Sequence, residues 1–350
     1  MDQRYTELQA WLAQVLTGFS EFAADSWQLH AVSGDASFRR YFRVLSAGRS
    51  WIAVDAPPDK ESSQSFVNVA NGLKLAGVPV PHIYQADLKK GFLLLEDFGD
   101  QLLLDQLTPE SVEGLYMQAL DTLLVIQRCR DIPGGALSDY DLPLLLREVE
   151  LFREWFLQKL LGVNLDDTDQ QMLKLLFDYV IDAALEQPAV FVHRDYHSRN
   201  LMYREGMPLG VIDFQDAVLG PVTYDLVSLL RDCYIAWPDE QVYMWVEHYR
   251  QALIGCGQTM PDSSHFMRWF DLMGAQRHLK AIGIFARLNL RDGKAGYLAD
   301  IPRTMNYLIN ATAKNESLKP VAGWLVVRVL PAMRQSEYFA NDVLDHWVMA

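Results

Sequence analysis

The chain is 350 residues long, half of them apolar and 22% charged, with a net charge of −14. That length and composition suit about two soluble domains with a sizeable core. The acidic balance argues against general binding to nucleic acid or anionic membrane, each of which needs a basic face, and nothing in the sequence points to a protein partner.

Three widely spaced cysteines, Cys129, Cys233 and Cys256, include no C-x-x-C, which favours reduced thiols over a disulfide frame or a zinc site. The opening residues MDQRYTELQAWLAQVL have no basic n-region and carry charges through the first turns, so a signal peptide is not expected. No stretch reaches the roughly 18 uncharged apolar residues of a spanning helix, and the cytoplasm is the expected compartment. Leu8, Trp11, Leu12, Val15 and Leu16 recur at helical spacing and predict an amphipathic helix packed on a core. Strand-like runs follow at 27–32, 38–45 and 51–55, with Ser46-Ala47-Gly48 as the hairpin turn between the last two. A helix is expected over about 62–76, ended by Gly77 and stopped by Pro79 and Pro81. Strands near 82–86 and 91–95 join through Asp87-Leu88-Lys89-Lys90.

Beyond Glu96–Asp100 the pattern turns to long helices, at about 108–129, 142–161, 167–186, 222–235, 239–254, 263–289 and 300–313. A closing helix pair is expected over 316–350, and a strand-rich segment at 190–216 interrupts the series. The expected fold class is α+β and bilobal, like a protein kinase. A small antiparallel-sheet lobe with one main helix covers 1–96, a hinge covers 97–101, and a large, mainly helical lobe covers 102–350. A cleft between such lobes is a usual place for a ligand.

The strand-rich segment carries the chemistry. His193-Arg194-Asp195, then Asn200, then Asp213 sit on short connectors between the apolar runs 190–192 and 209–212. Phosphoryl transfer from ATP needs a carboxylate to orient and deprotonate the attacking hydroxyl, here Asp195. It also needs an amide oxygen and a second carboxylate for Mg²⁺, here Asn200 and Asp213. Order and spacing match a kinase catalytic loop and metal loop, so small-molecule kinase chemistry is expected. His193 reads as structural support for the loop. Asp216 is a candidate for a second metal or a substrate hydroxyl, or else shapes its loop.

Ser33-Gly34-Asp35-Ala36-Ser37 lies between two strand-like runs, where backbone N–H groups of a glycine loop would cover phosphates. Glu96, Asp97 and Phe98 would present backbone groups to the adenine. One departure stands out. Trp51-Ile52-Ala53-Val54 should be followed by a phosphate-binding lysine, but Asp55-Ala56-Pro57-Pro58 follows, and the helix at 62–76 has no acidic residue to pair with one. A carboxylate aimed at triphosphate would repel it, so Asp55 is expected to point elsewhere. Arg43, Arg40 or Lys60 is then the candidate cation, since an arginine fork suits phosphate oxygens.

These residues resemble the aminoglycoside phosphotransferase-like kinases. The resemblance rests on Val192-His193-Arg194-Asp195-Tyr196-His197-Ser198-Arg199-Asn200-Leu201, Val211-Ile212-Asp213-Phe214 and Tyr224-Asp225-Leu226. It implies that Asp225 braces the catalytic loop. Within that family, four stretches look like the anomeric amino-sugar kinases of bacterial peptidoglycan recycling. They are residues 34–43, Asp55-Ala56-Pro57-Pro58, residues 94–100 and residues 276–287. The narrower resemblance implies ATP-dependent phosphorylation of the C1 hydroxyl of N-acetylmuramate and N-acetylglucosamine. It also implies that D-A-P-P is expected in place of the lysine. His197 and Arg199 would then face the sugar, with Arg199 either a fork for the lactyl carboxylate or a solvated surface arginine. Arg277, Lys280 and Arg287 share one helix face and are either ion-paired or solvated, or capture that carboxylate. Two rivals stand beside this reading. One is another small-molecule kinase (for choline, homoserine, a ketosamine or an aminoglycoside), and the other is a catalytically silent nucleotide-binding scaffold.

Overall fold

The computed structural model describes residues 2–19, 27–32 and 38–348, which divide into two compact units. The first takes in residues up to 118 together with 129–136 and 199–216; the second takes in 119–128, 137–198 and the chain from 217 onward.

The first unit is built on a five-stranded antiparallel sheet. Its strands are β1 (Gln28–Ala31), β2 (Arg40–Ser46), β3 (Arg49–Asp55), β4 (Ile83–Asp87) and β5 (Phe92–Glu96), in the spatial order β1-β2-β3-β5-β4. Ala47 and Gly48 turn β2 into β3, both at positive φ (50° and 77°), a combination whose twist suits a two-residue hairpin. Alternation along the strands sorts the side chains. Phe42, Val44, Trp51, Ala53, Phe92 and Leu94 share one face, covered by Leu8, Trp11, Leu12 and Leu16 of α1 (Gln3–Leu16). The expected amphipathic helix is thus a lid on the sheet. α2 (Ser63–Leu75) begins at the Ser62 cap and ends before Gly77, whose φ of 87° terminates it. The two-residue strands β6 (Leu201–Met202) and β7 (Gly210–Val211) pair within the same unit.

The second unit is helical around α3 (Ser263–Asp292), a 30-residue helix capped by Asp262 and ended by Gly293 in the left-handed conformation. It packs against α4 (Leu142–Leu151), α5 (Asp167–Leu185), α6 (Tyr224–Leu230), α7 (Asp239–Gly255) and α8 (Ile301–Lys314). Gly283 is what lets α4 come close: a Cβ there would stand 2.4 Å from the carbonyl carbon of Leu151. The antiparallel pair β8 (Ala189–Val192) and β9 (Val218–Pro221) brackets the segment from His193 to Asp213 in the chain.

Three helix expectations need correction. The helix expected over 142–161 is α-helical only to Leu151 and continues as a π-helical stretch, Phe152–Leu160; an extra residue per turn leaves no mark on an apolar pattern. The helix expected over 222–235 stops at Leu230. The closing pair is present, but its first member, residues 319–335, carries a π-helical stretch at Leu325–Val329 before the second helix, Asn341–Val348. The segment docks through Asp169, which accepts hydrogen bonds from Trp324 Nε1 (2.8 Å) and Arg328 Nη2 (3.3 Å). Among the described residues, no helix is long and apolar enough to cross a membrane.

Candidate active site

In the sheet unit, a cavity of about 430 Å³ is lined by the end of β5, the connector after it and the segments around Asn200 and Asp213. Ile52, Tyr41 and Arg43, on the sheet face opposite α1, contribute to its wall, as do Glu96, Asp97, Phe98, Arg199, Asn200 and Asp213. The sequence candidates for nucleotide and metal therefore share one hollow. Ser33, Gly34, Asp35, Ala36 and Ser37 lie outside the described residues.

Asn200 Nδ2 stands 3.4 Å from Asp213 Oδ2, while Gln215 Nε2 donates to Asp213 Oδ1 at 2.7 Å. Ile212 N donates to Asn200 O at 3.1 Å, which ties the two loops together. Asp213 has φ +65°, a conformation unusual for a side-chain-bearing residue and common at functional sites. An amide and a carboxylate side by side are hard oxygen donors of the kind Mg²⁺ takes alongside substrate phosphates, so the pair fits that ion. α2 reaches this loop through Ser65, whose Oγ donates to Gln215 O at 3.0 Å.

Arg43 lines the cavity with its charge already balanced. Its Nε and Nη2 donate to Asp97 at 2.6 and 3.1 Å, and its Nη1 donates to Asp100 at 2.7 Å. Burial raises the Asp97 carboxyl, but Arg43 and the Gly99 N–H outweigh it and leave the group below its ordinary range. Glu96 accepts from His82 N at 3.1 Å. Phe98 lies under the Arg204 guanidinium (4.1 Å to the ring centroid) and against Gly210, where any Cβ would come within 2.5 Å of the ring.

Asp55 and Arg40 turn to the α1 side of the sheet, as alternation from Ala53 and Phe42 requires. Asp55 is fully buried and accepts from Arg4 Nε at 2.8 Å and Arg40 Nε at 3.0 Å. It faces away from Ile52 and the cavity.

In the helical unit, Asp225 is fully buried and accepts the backbone N–H groups of His193 (2.6 Å) and Arg194 (3.0 Å). Burial drives its carboxyl up to about 7 against those two bonds. It braces the loop at the point where Arg194 takes φ +78°. His193 Nδ1 accepts from Asp195 N at 3.3 Å and its ring meets Tyr196, which is structural support. Ser198 donates to Asp232 through N (3.0 Å) and Oγ (2.5 Å), and the His197 ring stands edge-on to Tyr234. Asp216 is exposed.

Around Asp195 the field is positive. Burial raises its carboxyl, but Lys280, His197, Arg277 and Arg194 together hold it well below the usual carboxylate range, so it is ionised at neutral pH. Lys280 Nζ donates to Tyr224 OH at 2.9 Å and lies 3.4 Å from Glu148 Oε1. Arg194 Nη2 meets Glu148 at 2.5 Å, and Tyr140 OH also donates to Glu148. Sequence reasoning missed Glu148, Tyr140, Tyr224 and Asp232. The available signal was an acid, Glu148, beside Val149 and Leu145 on the apolar face of α4. Of the three basic residues expected on one face of α3, Arg277 and Lys280 are buried and Arg287 is half-buried.

Comparison with known proteins shows the family and the fold. The pattern of a family described as "Phosphotransferase enzyme family" matches residues 28–261. An N-acetylmuramate/N-acetylglucosamine kinase of Pseudomonas aeruginosa is 45% identical over 324 residues, 91% of this chain and 94% of that protein. One of Neisseria meningitidis is 40% identical over 330 residues, 93% and 96% of the two chains. The fold is similar to the crystal structure of the ADP-bound aminoglycoside phosphotransferase APH(2'')-Ib, with a TM-score of 0.57 at 13% identity over 87% of this chain and 97% of the other.

Proposed function

Because the chain belongs to the phosphotransferase enzyme family, we propose that it transfers the γ-phosphoryl group of ATP to the anomeric C1 hydroxyl of N-acetylmuramate and N-acetylglucosamine. The products would be ADP and sugar 1-phosphates for cell-wall recycling. The observation that carries this reading is the likeness, over nearly the whole chain, to kinases named for both sugars.

The residues support each role. Asp195, ionised in its ring of cations, aligns the C1 hydroxyl and accepts its proton. A carboxylate held this low is a weak base, but phosphoryl transfer passes through a loose transition state in which positioning does most of the work. An anomeric hydroxyl is also more acidic than an ordinary alcohol. Asn200 and Asp213 would hold Mg²⁺, which would offset the negative charge of the nucleotide phosphates. The sequence candidates Ser33 to Ser37 would serve the phosphates, and Glu96, Asp97 and Phe98, which line the cavity, would border the base.

The test is the product. ³¹P and mass analysis of ATP reactions with both sugars should give the 1-phosphate. A C1 methyl glycoside should be inert and a 6-deoxy analogue should react. Phosphorylation of the methyl glycoside would overturn the anomeric assignment.

A further inference from the structure

Glu148 is buried on α4 beside Leu145 and Val149, and its carboxylate collects side chains from four other stretches of the helical unit. Oε1 accepts from Arg194 Nη2 at 2.5 Å and lies 3.4 Å from Lys280 Nζ. Oε2 accepts from Tyr140 OH, and Gln276 Nε2 approaches it at 3.4 Å. The partners are tied to one another as well: Gln276 donates to Tyr140 OH and Lys280 to Tyr224 OH, each at 2.9 Å. Apolar side chains would hold these elements together at no greater cost, because a buried ion pair gains little over a hydrophobic contact of the same size. The charge at Glu148 is therefore informative.

Both cations it holds act at the catalytic carboxylate. Arg194 is the residue before Asp195; its backbone is fixed at φ +78° with its N–H on Asp225, and Glu148 fixes the far end of its side chain. Lys280 comes in from α3. Burial works against the charge on each, and of the carboxylates that sustain it Glu148 acts most strongly and Asp195 next. Without Glu148 the two cations would turn to Asp195 and compete with the acceptor hydroxyl for its oxygens.

We propose that Glu148 is a positioning residue for phosphoryl transfer: it fixes the Arg194 guanidinium and the Lys280 ammonium, and so keeps Asp195 in the setting in which it aligns the acceptor hydroxyl. The proposal rests on the sugar-kinase reading above. Glu148 acts through the two cations and not on the reacting atoms.

The experiment measures kcat and the KM for ATP with N-acetylglucosamine, an uncharged acceptor, so that capture of a substrate anion plays no part. Glu148→Gln keeps the shape and removes the charge. Its kcat should fall by roughly 100-fold, the scale of a slight misplacement at a reacting centre. Its KM for ATP should stay within about threefold, because Arg194, Lys280, Tyr140 and Gln276 are not among the residues that line the cavity. Glu148→Asp, which restores the charge, should recover part of the loss. When Glu148→Gln is combined with Lys280→Met, the two losses should amount to less than their product, since both act through one contact. A kcat within about threefold of the wild type in Glu148→Gln would overturn the inference. So would losses that multiply independently, or a KM for ATP that rises as far as kcat falls, which marks a general loss of structure. Should Glu148→Gln not fold, Tyr140→Phe gives the answer, because it keeps the ring and removes one hydrogen bond to Glu148. Its kcat should fall by roughly 2- to 10-fold at an unchanged KM for ATP, whereas a wild-type kcat overturns the inference. A wild type that phosphorylates neither sugar removes the sugar-kinase reading and the inference with it, before any variant is made.

Discussion

Asp55 Oδ1 accepts a hydrogen bond from Arg4 Nε at 2.8 Å across 51 residues of chain, and Arg4 Nη2 goes on to the Lys90 carbonyl at the same distance. Arg40 bridges Asp55 to Asp2, the N-cap of α1. The carboxylate that stands where a kinase lysine is expected is therefore a fastening for the first helix. Asp55→Ala should loosen α1. Arg4 and Arg40 are partly exposed and can rehydrate, so the loss should be about 1–2 kcal/mol rather than the larger figure for a fully buried pair. Thermal unfolding monitored by tryptophan fluorescence, with Trp11 on the buried face of α1, should show it. Asp55→Lys should unfold the same region without improving the KM for ATP.

Asp195→Asn should bind ATP nearly as well as the wild type while turnover falls by roughly 10²- to 10⁴-fold. Calorimetric titration with a non-hydrolysable ATP analogue, beside steady-state kinetics, separates the two quantities. Near wild-type turnover would remove Asp195 from the mechanism.

Asp213→Ala should abolish turnover, and Asn200→Ala should raise the Mg²⁺ concentration needed for half-maximal rate. The 3.4 Å approach of their side chains is the motive. If Mg²⁺ titrations of the two variants overlay the wild type, the ion is held elsewhere.

Stability should fall with acid in a window set by His278. This ring is fully buried and stacked on Tyr307, and Nε2 lies 3.1 Å from the Arg231 carbonyl. Burial first, with the charges of Arg277 and Arg231, holds it down to about 3 despite that carbonyl. The unfolded chain binds a proton below about 6.5 and the folded chain does not until about 3. The stabilisation is therefore complete above the unfolded value and is lost as pH falls toward the folded one, at no more than about 1.4 kcal/mol per pH unit. The midpoint of thermal unfolding in His278→Gln should decline less steeply between pH 6.5 and 4 than in the wild type. Parallel slopes would show that His278 is not the group responsible.

What was legible in the sequence is what is local. Asn200 and Asp213 are separated by a short connector and do come together at the cavity, and the expectation that Asp55 points elsewhere, drawn from charge repulsion, agrees with its place on the α1 side of the sheet. Partners brought together across long separations left no trace. Arg4 is 51 residues from Asp55 and Glu148 is 46 from Arg194. The apolar pattern also failed on α3. A helix enclosed by other helices buries polar residues as well, so Arg277 and Lys280, read with Arg287 as one basic face, lie inside. The π-helical stretch after Leu151 is equally silent, because periodicity over nine residues barely separates it from an α-helix.

The contact between Gly283 and the Leu151 carbonyl makes α3 behave as a lever. Leu151 is backbone and cannot swing aside, so even a methyl group at 283 must push one helix axis away from the other. Gly283 lies six residues, about 9 Å along the axis, from Arg277 and half that from Lys280. A displacement begun at a position that touches no reactant would therefore be delivered to the cations around Asp195. A small-residue substitution there would register as a loss of turnover before it registered as a loss of fold.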